Sequence, residues 1–368
     1  MRLNLRGVLY LTLSADRRAL HRIPELDWQL PQTAAYLRSR LEKLPCRVFE
    51  PCENAVCAYF DFGREQTTAF RSDMDALPVT EATGLPFASE HVGRMHACGH
   101  DGHMAIVLGL ADRLAAQPAE KMRSNVLLIF EPAEETTGGA AAICETGVLE
   151  AYRVKSIYGL HLWPELPMGT VASCAGGMMA RSCELTVVIE GKSAHIARWR
   201  EGNDALLAAL RFTEAVYALA EREQCVLRFG KLESGTVCNA VSDRSVLRGS
   251  LRCWDDAVLA RLLDGMNAAA EHLQVESGCV VTIQRSAGYP PVTNDAALLE
   301  RARRRFAVET AQPTFITEDF SFYQKRTPGV FFRLGTRTPQ HTAPLHSPQF
   351  DFDECVLETG VRLFLSLL

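Results

Sequence analysis

Short, uninterrupted apolar runs recur along the first half of the chain and once more near its end: Thr68-Ala69-Phe70, Val126-Leu127-Leu128-Ile129-Phe130, Ile157-Tyr158-Gly159-Leu160 and Val330-Phe331-Phe332. Runs of this length without polar alternation predict strands buried on both sides, as in a largely parallel sheet with helices on both faces. After the first run, Met104, Val107, Leu108, Ala111 and Leu114 fall on one face of a helix, for which Asp101 is a candidate N-cap. Strand and helix alternate, so this part is α/β.

The middle reads differently. A strand is expected over 185–189, and Asn203-Asp204 opens a helix through Ala205, Leu206, Ala209, Leu210, Val216 and Leu219. Strands follow at 226–229 and through Val246, Arg248, Ser250 and Arg252, then a helix over 255–273 and a strand over 279–283. The order β-α-β-β-α-β is the ferredoxin-like α+β plan. Beyond Gly288-Tyr289-Pro290-Pro291 the α/β character returns, so residues 175–287 read as a domain inserted into one formed by 1–174 and 288–368.

A length of 368 residues supports that division, since a single core stops growing before this size. Composition adds only exclusions. With 47% apolar residues, 23% charged residues and a net charge of -5, the chain matches an ordinary globular protein and offers no basic field for a nucleic acid. Residues 1–13 imitate the charged and apolar parts of a signal peptide, but the apolar stretch is very short and no clean small-x-small site follows. No run approaches the roughly 20 residues of a membrane span, so a cytoplasmic location is expected. The 12 cysteines show no repeating spacing and read as reduced, mostly buried thiols.

Candidate chemistry collects where the buried strands end. Phe70 leads to Asp73-Met74-Asp75, Phe130 to Glu131-Pro132-Ala133-Glu134-Glu135, and Leu160 to His161. In open α/β sheets ligands bind at the carboxyl ends of strands, which would bring these distant residues together. Met95-His96-Ala97-Cys98-Gly99-His100-Asp101-Gly102-His103 adds a thiol and three imidazoles before a helix, and Cys98 and His100, two apart, can face one side of an extended segment. Any one of these histidines is more often structural than a ligand. Paired with Glu134-Glu135 the odds reverse, because adjacent glutamates at the end of an apolar strand repel unless a cation or proton relieves them. Pro132 and Gly138-Gly139 favour a shaped turn over a solvated acidic loop.

Arg71-Ser72-Asp73-Met74-Asp75-Ala76-Leu77-Pro78, Met95-His96-Ala97-Cys98-Gly99-His100-Asp101 and Glu131-Pro132-Ala133-Glu134-Glu135, in this order, resemble the M20 metallopeptidase family, amidohydrolase branch. The likeness runs from Leu20-His21-Arg22-Ile23-Pro24-Glu25-Leu26 through Gly159-Leu160-His161, Gly191-Lys192-Ser193-Ala194-His195 and Glu318-Asp319-Phe320-Ser321 to Leu345-His346-Ser347-Pro348. That branch contains N-acyl-amino-acid amidohydrolases, hippurate hydrolases, auxin-conjugate hydrolases and N-acetyldiaminopimelate deacetylases.

The resemblance implies that Cys98, His100, Glu135, His161 and His346 hold two divalent metal ions (zinc, manganese, cobalt or nickel), in a catalytic domain of 1–174 and 288–368. It makes Glu134 the general base and Asp75 the acid that orients the site. His195, from an inserted lid and dimerisation domain, would meet the substrate carbonyl of a neighbouring subunit, assisted by Asn239, so a homodimer is implied. The expected substrate is a small N-acyl amino acid, with N-acetyldiaminopimelate or a dipeptide as alternatives. The chain departs from the family after His195, at Ile196-Ala197-Arg198-Trp199-Arg200, while 178–185 looks more like the diaminopimelate deacetylases. Two rival readings are a cysteine hydrolase, with Cys98 as nucleophile and His100 or His161 as its base, and a non-catalytic metal-binding protein.

Overall fold

The computed structural model describes residues 5–368, so residues 1–4 of the stretch weighed above as a leader lie outside the described residues. Leu5–His21 is a helix, and no described helix is long and apolar enough to cross a membrane. Two compact units are present. The larger holds the chain up to Met178 with Thr293–Gln312 and Asp319–Leu368; the smaller holds Met179–Val292 and takes back Pro313–Glu318, a return that has no mark in the sequence.

The larger unit is built on an eight-stranded sheet. Its spatial order is Arg47–Phe49, Val56–Phe60, Asn125–Glu131, Thr67–Asp73, Val154–Pro167, Gly329–Arg337, Val171–Ser173 and Glu309–Thr310. The four central strands, Asn125–Glu131 to Gly329–Arg337 in that order, run parallel. They are the four apolar runs of the sequence. Val56–Phe60 and Val171–Ser173 join antiparallel on either side. Every residue of Thr67–Asp73 and of Asn125–Glu131 is buried, the polar ends of the strands as well as the apolar runs within them.

The helix His100–Ala115 packs on this sheet and against the helices Leu5–His21 and Val356–Ser366. Gly109 lets it approach closely, since a Cβ there would meet Leu13 Cδ2 at 2.4 Å. Its start differs from the sequence reading. Gly99, at φ 84°, is the N-cap, and no side chain among the described residues caps the helix. Asp101 lies inside the first turn, where it accepts from Arg17 Nε at 3.2 Å and from His21 Nδ1 at 2.8 Å. A buried carboxylate gains more from two cationic partners than from a backbone N–H.

The smaller unit is the ferredoxin-like α+β fold. Its antiparallel sheet has the order Val280–Arg285, Arg181–Glu190, Arg244–Cys253 and Val226–Ser234. Ala205–Arg222 starts on Asp204, whose carboxylate accepts from the N–H groups of Leu206 and Leu207. Asp256–Ser277 starts on Asp255 and ends at Gly278 in the left-handed region, φ 70°. Leu185, Val187 and Ile189 of the sheet pack with Ala205, Phe212 and Val216 of one helix and Leu262 and Met266 of the other.

Candidate metal centre

The parallel strands bring the predicted residues to one edge of the sheet. Asp73 ends Thr67–Asp73, Glu131 ends Asn125–Glu131, and His161 lies within Val154–Pro167. Cys98 Sγ is 3.4 Å from His161 Nε2 and 3.3 Å from His346 Nε2. Glu135 Oε1 is 3.4 Å from His346 Nε2 and 3.9 Å from His100 Nε2. The donor atoms of Cys98, His100 and His161 lie within 4.8 Å of one another, as do those of Cys98, Glu135 and His346. The two sets share the sulfur of Cys98. All five predicted ligands are therefore brought together, with Glu134 in a further set beside His100 and Glu135.

Hydrogen bonds decide which nitrogen each imidazole presents. His100 Nδ1–H donates to the Asp75 carbonyl at 2.8 Å, and His161 Nδ1–H to the Leu162 carbonyl at 2.7 Å. Each ring is thereby fixed with Nε2 as its lone pair, the form that binds a cation. His103, in the same cluster, is different. Its Nδ1–H donates to Asp73 Oδ1 at 2.6 Å and its Nε2 accepts from the Leu162 N–H at 2.9 Å, so no lone pair remains. Asp75 holds the two glutamates by their backbone: its Oδ1 accepts from the Glu134 N–H at 3.0 Å and its Oδ2 from the Glu135 N–H at 3.1 Å.

The charge balance fits cations. His100 Nε2 and Glu135 Oε1 are buried without a hydrogen-bond partner among the described residues, an arrangement that is costly unless a ligand completes it. Burial works against a charge on His100, yet Asp73, Asp75 and Glu135 outweigh it and lift its pKa to about 10. Burial also raises the Glu135 carboxyl, but His346 and His100 bring it down to about 2. The upward shift on His100 reflects a surplus of negative charge that a divalent cation on Nε2 would meet in place of a proton. Burial, Glu135 and Glu134 push the Cys98 thiol well above its usual range, and burial lowers His161 to about 3. Divalent cations bound there would favour the Cys98 thiolate and take up the lone pair of the neutral His161 ring.

Beneath the centre lies a network that sequence reading left without a role. Arg71, 1% exposed, donates to Asp73 Oδ2 at 2.7 Å, to Glu131 Oε2 at 2.8 Å and to Asp319 Oδ1 at 2.7 Å. Tyr323 Oη donates to Glu131 Oε2 at 2.8 Å. An arginine directly after the Thr68-Ala69-Phe70 run was the available signal, because a buried guanidinium demands carboxylates nearby. Asp73 joins this network to His103 and so to the backbone of Leu162, next to His161.

Two of the turns that carry these candidate ligands are conformationally demanding. Ala133, immediately before Glu134, sits at φ 60°, and His346 at φ 64°. The His346 N–H donates to the Ala97 carbonyl at 2.8 Å, tying the C-terminal ligand to the Cys98 segment. Left-handed backbone at residues other than glycine is held by surrounding structure, and such positions cluster at functional sites.

His195 and Asn239 lie in the smaller unit, both exposed, and are adjacent there: the Ile196 N–H donates to the Asn239 carbonyl at 3.0 Å. His195 Nδ1 accepts from the Ala197 N–H at 3.2 Å, which in the neutral ring leaves Nε2 carrying the proton. The divergent loop after it forms the short 3-10 helix Ile196–Glu201, with Trp199 exposed.

Residues 69–368 match the model of peptidase family M20/M25/M40. The N-acetyldiaminopimelate deacetylase of Streptococcus uberis is 36% identical over 368 residues, covering 95% of this chain and 96% of that protein. The enzyme of the same name from Streptococcus pneumoniae is 35% identical, covering 97% and 98%. Among solved structures, the YXEP protein of Bacillus subtilis, a dinuclear metal binding peptidase from the M20 family, aligns with a TM-score of 0.88 at 31% identity over 98% of each chain. A proposed aminohydrolase from methicillin resistant Staphylococcus aureus aligns with a TM-score of 0.92 at 29% identity, covering 98% of this chain and 97% of that one. Fold and relatives together define a hydrolase of linear amide C–N bonds. The chain belongs to the M20/M25/M40 peptidase family.

Proposed function

We propose that this hydrolase removes the acyl group from small N-acyl amino acids, with N-acetyldiaminopimelate, the substrate in the streptococcal relatives' name, as the best supported case. The observation that carries this reading is the meeting of two donor sets at Cys98 with Glu134 beside them. Cys98, His100 and His161 would hold one cation, and Cys98, Glu135 and His346 the other; the donors suit zinc, manganese, cobalt or nickel alike. Bound there, two divalent cations supply Lewis acidity, polarising an amide carbonyl and acidifying water.

The chain's own residues do the rest. Glu134, 8% exposed and oriented through Asp75, takes a proton from the attacking water and returns it to the amine nitrogen as the C–N bond breaks. The water oxygen stays on the acyl carbon, so the products are a carboxylate and a free amino acid. His195 Nε2–H is suited to donate to the developing oxyanion, a contribution of about 3 to 4 kcal/mol in comparable sites. By the family resemblance it serves a neighbouring subunit, which makes a homodimer through the smaller unit, working in the cytoplasm, part of the same reading.

The cysteine-nucleophile alternative is disfavoured by the surroundings of Cys98. Burial and two glutamates oppose its thiolate, whereas a nucleophilic cysteine needs a lowered pKa. Glu134→Gln keeps the shape and removes the base; kcat for acetate release is expected to fall by about 10² to 10⁴, with metal content unchanged. Full turnover by this variant would refute the mechanism.

A further inference from the structure

A cavity of about 540 Å³ opens beside Glu135 in the larger unit. Leu26, Ala76, Leu77 and Pro78 give it an apolar wall, and Asp27 and Arg94 bring opposite charges to its lining. Glu135 also lines it, so whatever occupies it lies next to the metal centre.

The backbone of both charged residues is fixed, and both side chains keep unused hydrogen-bonding capacity; Asp27 is half-buried and Arg94 is exposed. Asp27 sits at φ 57°, in a turn pinned by bridges from Leu26 to Ala76 and to Gln29. Its Oδ1 accepts from the hydroxyl of Thr136, the residue after Glu135, while its Oδ2 accepts from no other described residue. Arg94 sits where a bridge between Leu77 and Met95 fixes the backbone, four residues before Cys98. Its guanidinium forms no ion pair or side-chain hydrogen bond among the described residues. An aspartate and an arginine that line one cavity without pairing to each other each leave a site for a ligand of opposite charge.

We infer that this cavity receives the far end of the substrate's amino-acid side chain, and that Asp27 and Arg94 together recognise a zwitterion there, the ammonium on Asp27 and the carboxylate on Arg94. The inference rests on the deacylase reading above. The aliphatic spacer lies along the apolar wall, and the substrate class is an N-acylated diamino dicarboxylate. Substrates with a purely apolar side chain take water from both charges and return no hydrogen bond, the kind of mismatch by which a polar site discriminates strongly.

The experiment compares kcat/KM of the metal-loaded enzyme for N-acetyldiaminopimelate and for N-acetyl-2-aminoheptanoate, which has the same seven-carbon chain but lacks the distal charges. A preference of at least tenfold for the former is expected. Arg94→Met and Asp27→Asn should each lower that ratio at least tenfold, and Arg94→Lys should restore part of it. An unchanged ratio in both variants would overturn the inference, as would equal losses on the two substrates, which would assign Arg94 to the α-carboxylate they share. Equal cleavage of both substrates by the unaltered enzyme also overturns it but leaves the deacylase reading standing. Cleavage of neither, with metals bound, removes the deacylase reading itself.

Discussion

Asp75 governs the two glutamates without touching their carboxylates: both its oxygens are spent on the backbone N–H groups of Glu134 and Glu135. Asn at this position offers one acceptor and turns a donor toward the second N–H. Asp75→Asn is accordingly expected to weaken metal binding by about 10- to 100-fold in a calorimetric titration, with little change in circular dichroism. Native affinity in that variant would show that the carboxylate is dispensable. Farther from the candidate metal centre, burial lowers the pKa of His21, but Asp101 and Glu81 outweigh it and raise the pKa to about 9. A raised value means that the pairing stabilises the fold fully below about pH 6.5 and loses this as pH climbs through about 9, a span of about 3 kcal/mol. Urea unfolding of His21→Gln beside the parent should show a large deficit at pH 6 that shrinks by pH 10; a constant deficit would exclude the ion pair as its source. At this scale the sequence was most legible where a side chain has few uses. A cysteine and histidines beside paired glutamates pointed to metal. Arg71, Asp73 and Asp319 were harder to read, because a charge in a motif does not announce whether it faces the ligand or supports what does.

The turn after Asn125–Glu131 shows how an element can be more constrained than its composition suggests. Ala133 is left-handed, and a Cβ on Gly139 would stand 1.9 Å from the Pro132 carbonyl oxygen. Gly139→Ala must therefore displace the segment that carries Glu134 and Glu135, at about 1 to 3 kcal/mol or more of stability, read as a lower denaturation midpoint with reduced activity. An unchanged midpoint and rate would mean that the turn yields freely. The central strands were plain in the sequence because both faces are buried, leaving no polar alternation. The marginal strands Arg47–Phe49, Val171–Ser173 and Glu309–Thr310 were not, since two or three residues carry no period and owe their form to a neighbour. Asp101 misled for a related reason: an aspartate next to a helix start reads as a cap, and only the distant Arg17 and His21 show its other use.

For the molecule as a whole, cations that bind the folded chain in preference to the unfolded one stabilise it, by about 2.7 kcal/mol at a hundredfold excess over Kd. Dialysis against a chelator should abolish activity and lower the melting temperature by roughly 5 to 10 °C, both reversed by adding back a divalent metal. Activity that survived complete metal removal would contradict the two-metal reading. His346 stands 248 residues beyond Cys98, yet the two side chains meet at 3.3 Å. During synthesis, then, an emerging chain exposes Cys98, His100, Glu135 and His161 long before the fifth proposed donor leaves the ribosome. On the two-metal reading, premature termination anywhere in that interval leaves one donor set incomplete, so full metal loading would also certify that translation ran past residue 346.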